Sequence, residues 1–144
     1  MAVATDFQCL RAELNCTMYE LDAEGPADVA WVDMNEYESI LIGVMRSVGT
    51  GALDEFRILA NSASDGSGTD VEIKDLGATI EATVDAVGDY VWLEASAEEI
   101  GAAGADLRYV SASVGHATAT DESVVTYIRK GKRAYKDQTA NNIS

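Results

Sequence analysis

The chain has 144 residues, enough for one domain with an ordinary core, and its 47% hydrophobic content excludes general disorder. A net charge of −15 disfavours nucleic acid and anionic membrane as partners, since both would repel the body. No apolar run approaches the roughly 20 residues that cross a bilayer as a helix.

The opening Met1–Asp6 carries no basic stretch and no apolar run, so no signal peptide is expected. Cys9 and Cys16 are seven positions apart. In a helix that is about 10 Å, too far for a disulfide. Free thiols without a leader point to a reducing cytoplasm. Phe7, Leu10, Leu14, Met18 and Leu21 recur at helical spacing, with Thr5 or Asp6 as cap and Gly25-Pro26 as stop. Asn15-Cys16-Thr17 is a poor helix interior, and Asn15–Tyr19 reads equally as a strand. Residues 1–25 are therefore expected to form an N-terminal arm, part strand or a short helix.

From Asp28 onward the pattern is β. Val29–Met34 reads as a short strand, and Tyr37–Val48 as a longer, central one buried on both faces. Gly49-Thr50-Gly51 breaks the chain, and Phe56, Ile58 and Ala60 then alternate with Glu55, Arg57 and Leu59. Asn61–Asp70 reads as a polar hairpin tip. Val71–Lys74, Ala78–Val84 and Asp89–Ala95 are further strands, and Ser96 is placed to cap one helical turn ending by Gly101 or Gly104. Leu107–Val114 and Glu122–Ile128 complete the set. Short strands with turns every 8–12 residues predict an all-β fold, a β-sandwich or jelly-roll-like barrel. The predicted layout is an N-terminal arm (1–25), a β body (26–128) and a basic C-terminal arm (129–144).

That last segment is the least ordinary feature. Residues 1–128 carry a net −19, while 129–144 carry +4 from Arg129, Lys130, Lys132, Arg133 and Lys136 against Asp137. Such a tail suits pairing with acidic surfaces, on another copy or another protein.

Signals for chemistry are weak. His116, the single histidine, sits in a small-residue stretch that reads as a hairpin connection, where a surface or interface role is expected. No nucleophile elbow accompanies it. Asp65–Asp70 fails as a calcium loop, because the twelfth position from Asp65 is Leu76 rather than Glu. The acid pairs Asp54-Glu55, Glu98-Glu99 and Asp121-Glu122 read as solvated faces. Trp31, Trp92 and Tyr109 lie in strand patterns, where core packing is the ordinary use. A sugar-stacking platform is the alternative. No catalytic residue, metal site or cofactor is expected.

Trp31-Val-Asp-Met34, Tyr37-Glu-Ser39, Phe56-Arg-Ile-Leu-Ala60, Leu107–Val114 and Val124–Arg129 occur in an order that resembles small structural proteins of tailed bacteriophages. The resemblance spans residues 28–130 and is to capsid decoration (cement) proteins. It implies a non-enzymatic virion subunit, assembled in the bacterial cytoplasm and seated on the outer capsid surface. Such subunits usually trimerise, so a homotrimer is expected, with the major capsid protein as partner and neither nucleic acid nor membrane. The contacts would fall to the terminal arms, with Phe7, Leu10 and Leu14 in one and Arg129, Lys130, Lys132, Arg133 and Lys136 in the other. A head–tail connector or minor tail protein is the neighbouring reading. A carbohydrate-binding module is the reading from another class.

Overall fold

The computed structural model describes residues 14–21, 25–77 and 84–132. Nine strands and one short helix lie among them. The strands are β1 (Leu14–Leu21), β2 (Gly25–Asp28), β3 (Val32–Asp33), β4 (Tyr37–Val48), β5 (Leu53–Asn61), β6 (Val71–Asp75), β7 (Tyr90–Ser96), β8 (Tyr109–His116) and β9 (Glu122–Lys132), and helix α1 (Ala97–Ala103) follows β7.

They build two antiparallel sheets, β1-β9-β4-β7 and β2-β8-β5-β6, with β3 also paired to β8. β2 and β3 pair with successive stretches of β8, and so act as one interrupted strand. Counted that way, one sheet runs first, eighth, third, sixth, and the other runs second, seventh, fourth, fifth. This is the interleaved order of a jelly roll, two Greek keys closed on one core. The all-β expectation is met.

Alternation along each strand sends one face inward. Ile40, Ile42 and Val44 from one sheet meet Phe56, Ile58, Ala60, Val110, Ala112 and Val114 from the other, all fully buried. β4 is central but not buried on both faces, as Met45 is exposed. Apolar sequence around it reflects a surface property, described below.

The N-terminal segment resolves toward strand where it is described. Leu14–Leu21 pairs residue for residue with Lys130–Ser123 of β9. Arg129–Lys132 likewise lies within β9. The sheet thus takes in the inner ends of both expected arms. Phe7 and Leu10 lie outside the described residues, as do Cys9, Arg133, Lys136 and positions 78–83 of the expected strand there.

Local signals worked where chemistry was local. Ser96 caps α1: its Oγ accepts from the Glu99 N–H at 3.1 Å, and Glu99 Oε2 accepts from the Ser96 N–H at 2.8 Å. That backbone bond, then Lys74, holds the Glu99 carboxyl lowered to about 2. The Asn61–Asp70 tip is organised from below by Asn61, whose Nδ2 donates to Asp70 Oδ1 at 2.6 Å and to Gly66 O at 3.3 Å. Gly66, at φ 72°, lies so close under Trp31 that a Cβ would sit 2.2 Å from its Nε1. Trp31 is half-buried on this loop, not in the core.

Candidate interaction surface

The two outer faces of the sandwich differ in kind. On the β5–β8 sheet the outward positions of β8 include Ser111, Ser113 and Gly115, which stand opposite Leu59, Arg57 and Glu55 of β5. Ser113 Oγ donates to Glu55 Oε1 at 2.7 Å, and Arg57 reaches Glu55, Glu72 and Asp75 at 3.2–3.6 Å. That face is closed by its own charges.

The outer face of the β1-β9-β4-β7 sheet is apolar at its centre, with Glu20, Glu94, Glu122 and Lys130 around it. One row across it, set by the register, is Met18, Thr126, Gly43 and Trp92, and the next is Glu20, Val124, Met45 and Tyr90. Met18 and Tyr90 are each 65% exposed, and Met45 and Trp92 each 41%. Together they surround a shallow depression of about 330 Å³. Trp92 therefore departs from the core placement expected for it. The reason is Gly43. The indole lies flat across that residue on the neighbouring strand, and a Cβ there would be 2.4 Å from Trp92 Cζ3. A missing side chain on β4 makes the seat for a large one on β7. Gly43→Val should lift the ring into water. In a Trp31→Phe background, the check is a red shift of the remaining tryptophan emission, and unchanged emission would contradict this seating.

The basic end sits on the same sheet. Arg129 is tied to the body: its Nη1 donates to Asp33 O at 2.8 Å and its guanidinium lies 4.5 Å over the Tyr37 ring. Arg108 grips Asp33 bidentately, and its hydrogen bond holds that carboxyl below the ordinary range. Lys130 is exposed, and Lys132 closes β9. Leu14, opposite Lys130, opens β1.

Two polar groups expected at the surface are instead buried. His116 ends β8 in the interior, its Nε2 2.8 Å from Ser123 Oγ. Neither atom faces solvent, so the pair holds strands rather than a substrate. Asp121 is fully buried beside Arg46, Oδ2 to Nη2 2.8 Å, and its other oxygen accepts the Thr50 N–H at 3.1 Å. Burial pushes this carboxyl up, but bonds from Thr118, Thr50 and Arg46 outweigh it and the net shift is downward. Gly49 and Gly51 leave room for it, since a Cβ at Gly49 would lie 1.9 Å from Asp121 Oδ1. Nothing in an Asp-Glu pair of a 25-acid sequence marks one member as buried. The signal was the Gly-Thr-Gly turn and the single Arg in an apolar strand, joined only by the fold.

Among the described residues no group of three or more His, Cys, Asp or Glu is placed to hold a metal, and no helix is long and apolar enough to cross a membrane. A second depression, about 390 Å³, lies beside α1 and is lined by Met34, Ile100, Leu107 and Arg108 among others. Its one cation, Arg108, is already held by Asp33.

No protein-family model matches the chain, and no curated protein matches it. Among solved structures it is similar to the crystal structure of the SPBc2 prophage-derived protein YomS, at 15% identity and a TM-score of 0.48, over 90% of this chain and 100% of that one.

Proposed function

We propose that this chain is a non-enzymatic structural protein of a bacteriophage particle, a decoration (cement) subunit on the outside of the head that bridges major capsid subunits. The observation that carries this reading is a jelly roll whose buried Arg46–Asp121 and His116–Ser123 pairs bond within the fold, while an apolar sheet patch and the basic end of β9 are left for contact. Jelly rolls serve viral capsids and lectins alike, so the fold alone is analogy. The acidic body faces outward and keeps particles apart in solution. Contacts to the shell fall to the expected terminal arms, residues 1–25 and 129–144. Apolar burial at Phe7 and Leu10 and cation–carboxylate pairs at the basic end supply the binding free energy.

The test is binding of the purified protein to expanded heads assembled without it. Neutralising Lys132, Arg133 and Lys136 together should weaken binding about tenfold, some 1.4 kcal/mol, and raising salt from about 0.05 to 0.5 M should weaken it further. Binding indifferent to both would end the electrostatic account, and absence of binding would end the capsid reading. Rings of six or more copies would favour the connector alternative. The exposed, flat-lying Trp92 supports one other reading, a carbohydrate platform. A tryptophan emission change on adding glycans, absent in Trp92→Ala, would move the assignment there.

A further inference from the structure

We infer that the apolar face of the β1-β9-β4-β7 sheet is a self-association surface on which two copies pack face to face about a two-fold axis running across the strands. Three observations on this face point to a second copy.

The first is the contrast between the two outer faces. One is sealed by the Arg57 carboxylate cluster. The other leaves Met18, Met45, Tyr90 and Trp92 in water on a chain of net charge −15. A contiguous apolar patch on so acidic a domain marks a contact site.

The second is the charge pattern along β9. Alternation puts Glu122, Val124, Thr126, Ile128 and Lys130 on the outer face. Lys130 and Glu122 stand four residues either side of Thr126. A two-fold axis through the Thr126 row, perpendicular to the strands, reverses strand direction in the second copy. It then sets Lys130 opposite the second copy's Glu122, and Glu122 opposite its Lys130. An isologous interface needs this self-complementarity. The other carboxylates on the face avoid one another in the same arrangement. Glu94 falls opposite the second copy's Tyr90, two positions either side of Trp92, and Glu20 falls opposite position 16, two positions either side of Met18.

The third is size. Eight residues of strand span about 27 Å and four strands about 19 Å, so the face offers roughly 500 Å² per copy, about 1,000 Å² in all. That reaches the lower bound for a specific interface. The middle row stacks Met18 on Met18 and Trp92 on Trp92, and aligned sheet packing at about 30° accommodates the twist. An arrangement with only a three-fold axis would not bring this face onto itself.

The pairing needs no capsid, so it stands or falls separately from the shell reading. The experiment is the solution mass of the full chain by light scattering and sedimentation, from micromolar to about 100 µM, a range covering weak specific affinities. Wild type should reach twice the chain mass. Trp92→Asp, with a wild-type circular dichroism spectrum, should remain at the chain mass. Lys130→Glu should weaken dimerisation at least tenfold, and the double swap Lys130→Glu with Glu122→Lys should restore it, because each then meets the other again. A monomer throughout the range, a trimer, a Trp92→Asp variant at wild-type mass, or a double swap no better than the single would each overturn the proposal.

Discussion

Asp121→Asn is expected to cost about 3–5 kcal/mol of folding stability, read from denaturant midpoints at unchanged slope. The substitution leaves the Arg46 guanidinium, 1% exposed, without a counter-charge. Arg46 has few other partners: Nη1 reaches Asp85 O at 3.4 Å, and Nε has none. Asp121 also takes the Thr50 N–H, so the turn after β4 is anchored by the turn before β9. Arg46→Ala should cost a similar amount from the other side. Replacing both, Arg46→Met with Asp121→Leu, should recover part of the loss, because a buried pair is costly to break but not to delete. Recovery should stay incomplete, since Leu accepts no bond from Thr50. The pH dependence has a definite sign. A carboxyl whose folded pKa lies below its unfolded value of about 3.9 contributes stability present above that value and lost as pH falls through the folded pKa. The gap between wild type and Asp121→Asn should therefore narrow below about pH 4. A gap that stays constant down to about pH 2 would show that Asp121 is not held ionised.

Tyr127→Phe is expected to cost about 1–3 kcal/mol although it removes one oxygen atom. Tyr127 rises from β9 through the core, 1% exposed, with its ring edge-on to Tyr19 at 5.1 Å. Its hydroxyl accepts the Ala112 N–H of β8, on the opposite sheet, at 2.7 Å, and the backbone at Ala30 also bonds it. The cause is the interruption between β2 and β3. Val29 donates to Ala112 O at 2.9 Å, but the return bond that a continuous strand would take from the Ala112 N–H goes to the tyrosine. Phe keeps the packing and leaves that donor buried without an acceptor. Tyr127→Ala should cost more, about 3–5 kcal/mol, by adding a cavity. Burial raises the Tyr127 hydroxyl pKa, so its share of stability is complete below about pH 10 and is lost as pH rises through the folded value. Equal stability of wild type and Tyr127→Phe at neutral pH would overturn the strut.

The strands and the turns between them were legible because their causes are local. Runs of strand-forming residues marked β4, β5, β8 and β9 within a residue or two at their starts, and Ser96 marked the helix. Three of the positions that misled did so for one shared reason. Trp92, His116 and Asp121 have ordinary neighbours in sequence and unusual neighbours in space. Trp92 looked like a core residue until the register placed Gly43 beside it. His116 looked like a turn residue until β8 ran on as far as it. Asp121 looked solvated until two turns folded over it.

What the sequence determined by itself is the class of the molecule. Period-two patterning over short segments requires sheets, and the few apolar positions on alternate faces require two of them packed together. The polarised charge, acidic through residue 128 and basic after it, is likewise a property of composition alone. Which strand lies beside which was decided only in three dimensions. The jelly-roll order pairs β1 with β9 and β4 with β7, strands far apart in the chain, and local patterning carries no term for such pairings. That order assembles Met18, Met45, Tyr90 and Trp92 from three strands into one apolar face, and buries an ion pair whose members stand 75 residues apart. Surfaces and buried charges are properties of neighbours, and neighbours are what tertiary structure supplies.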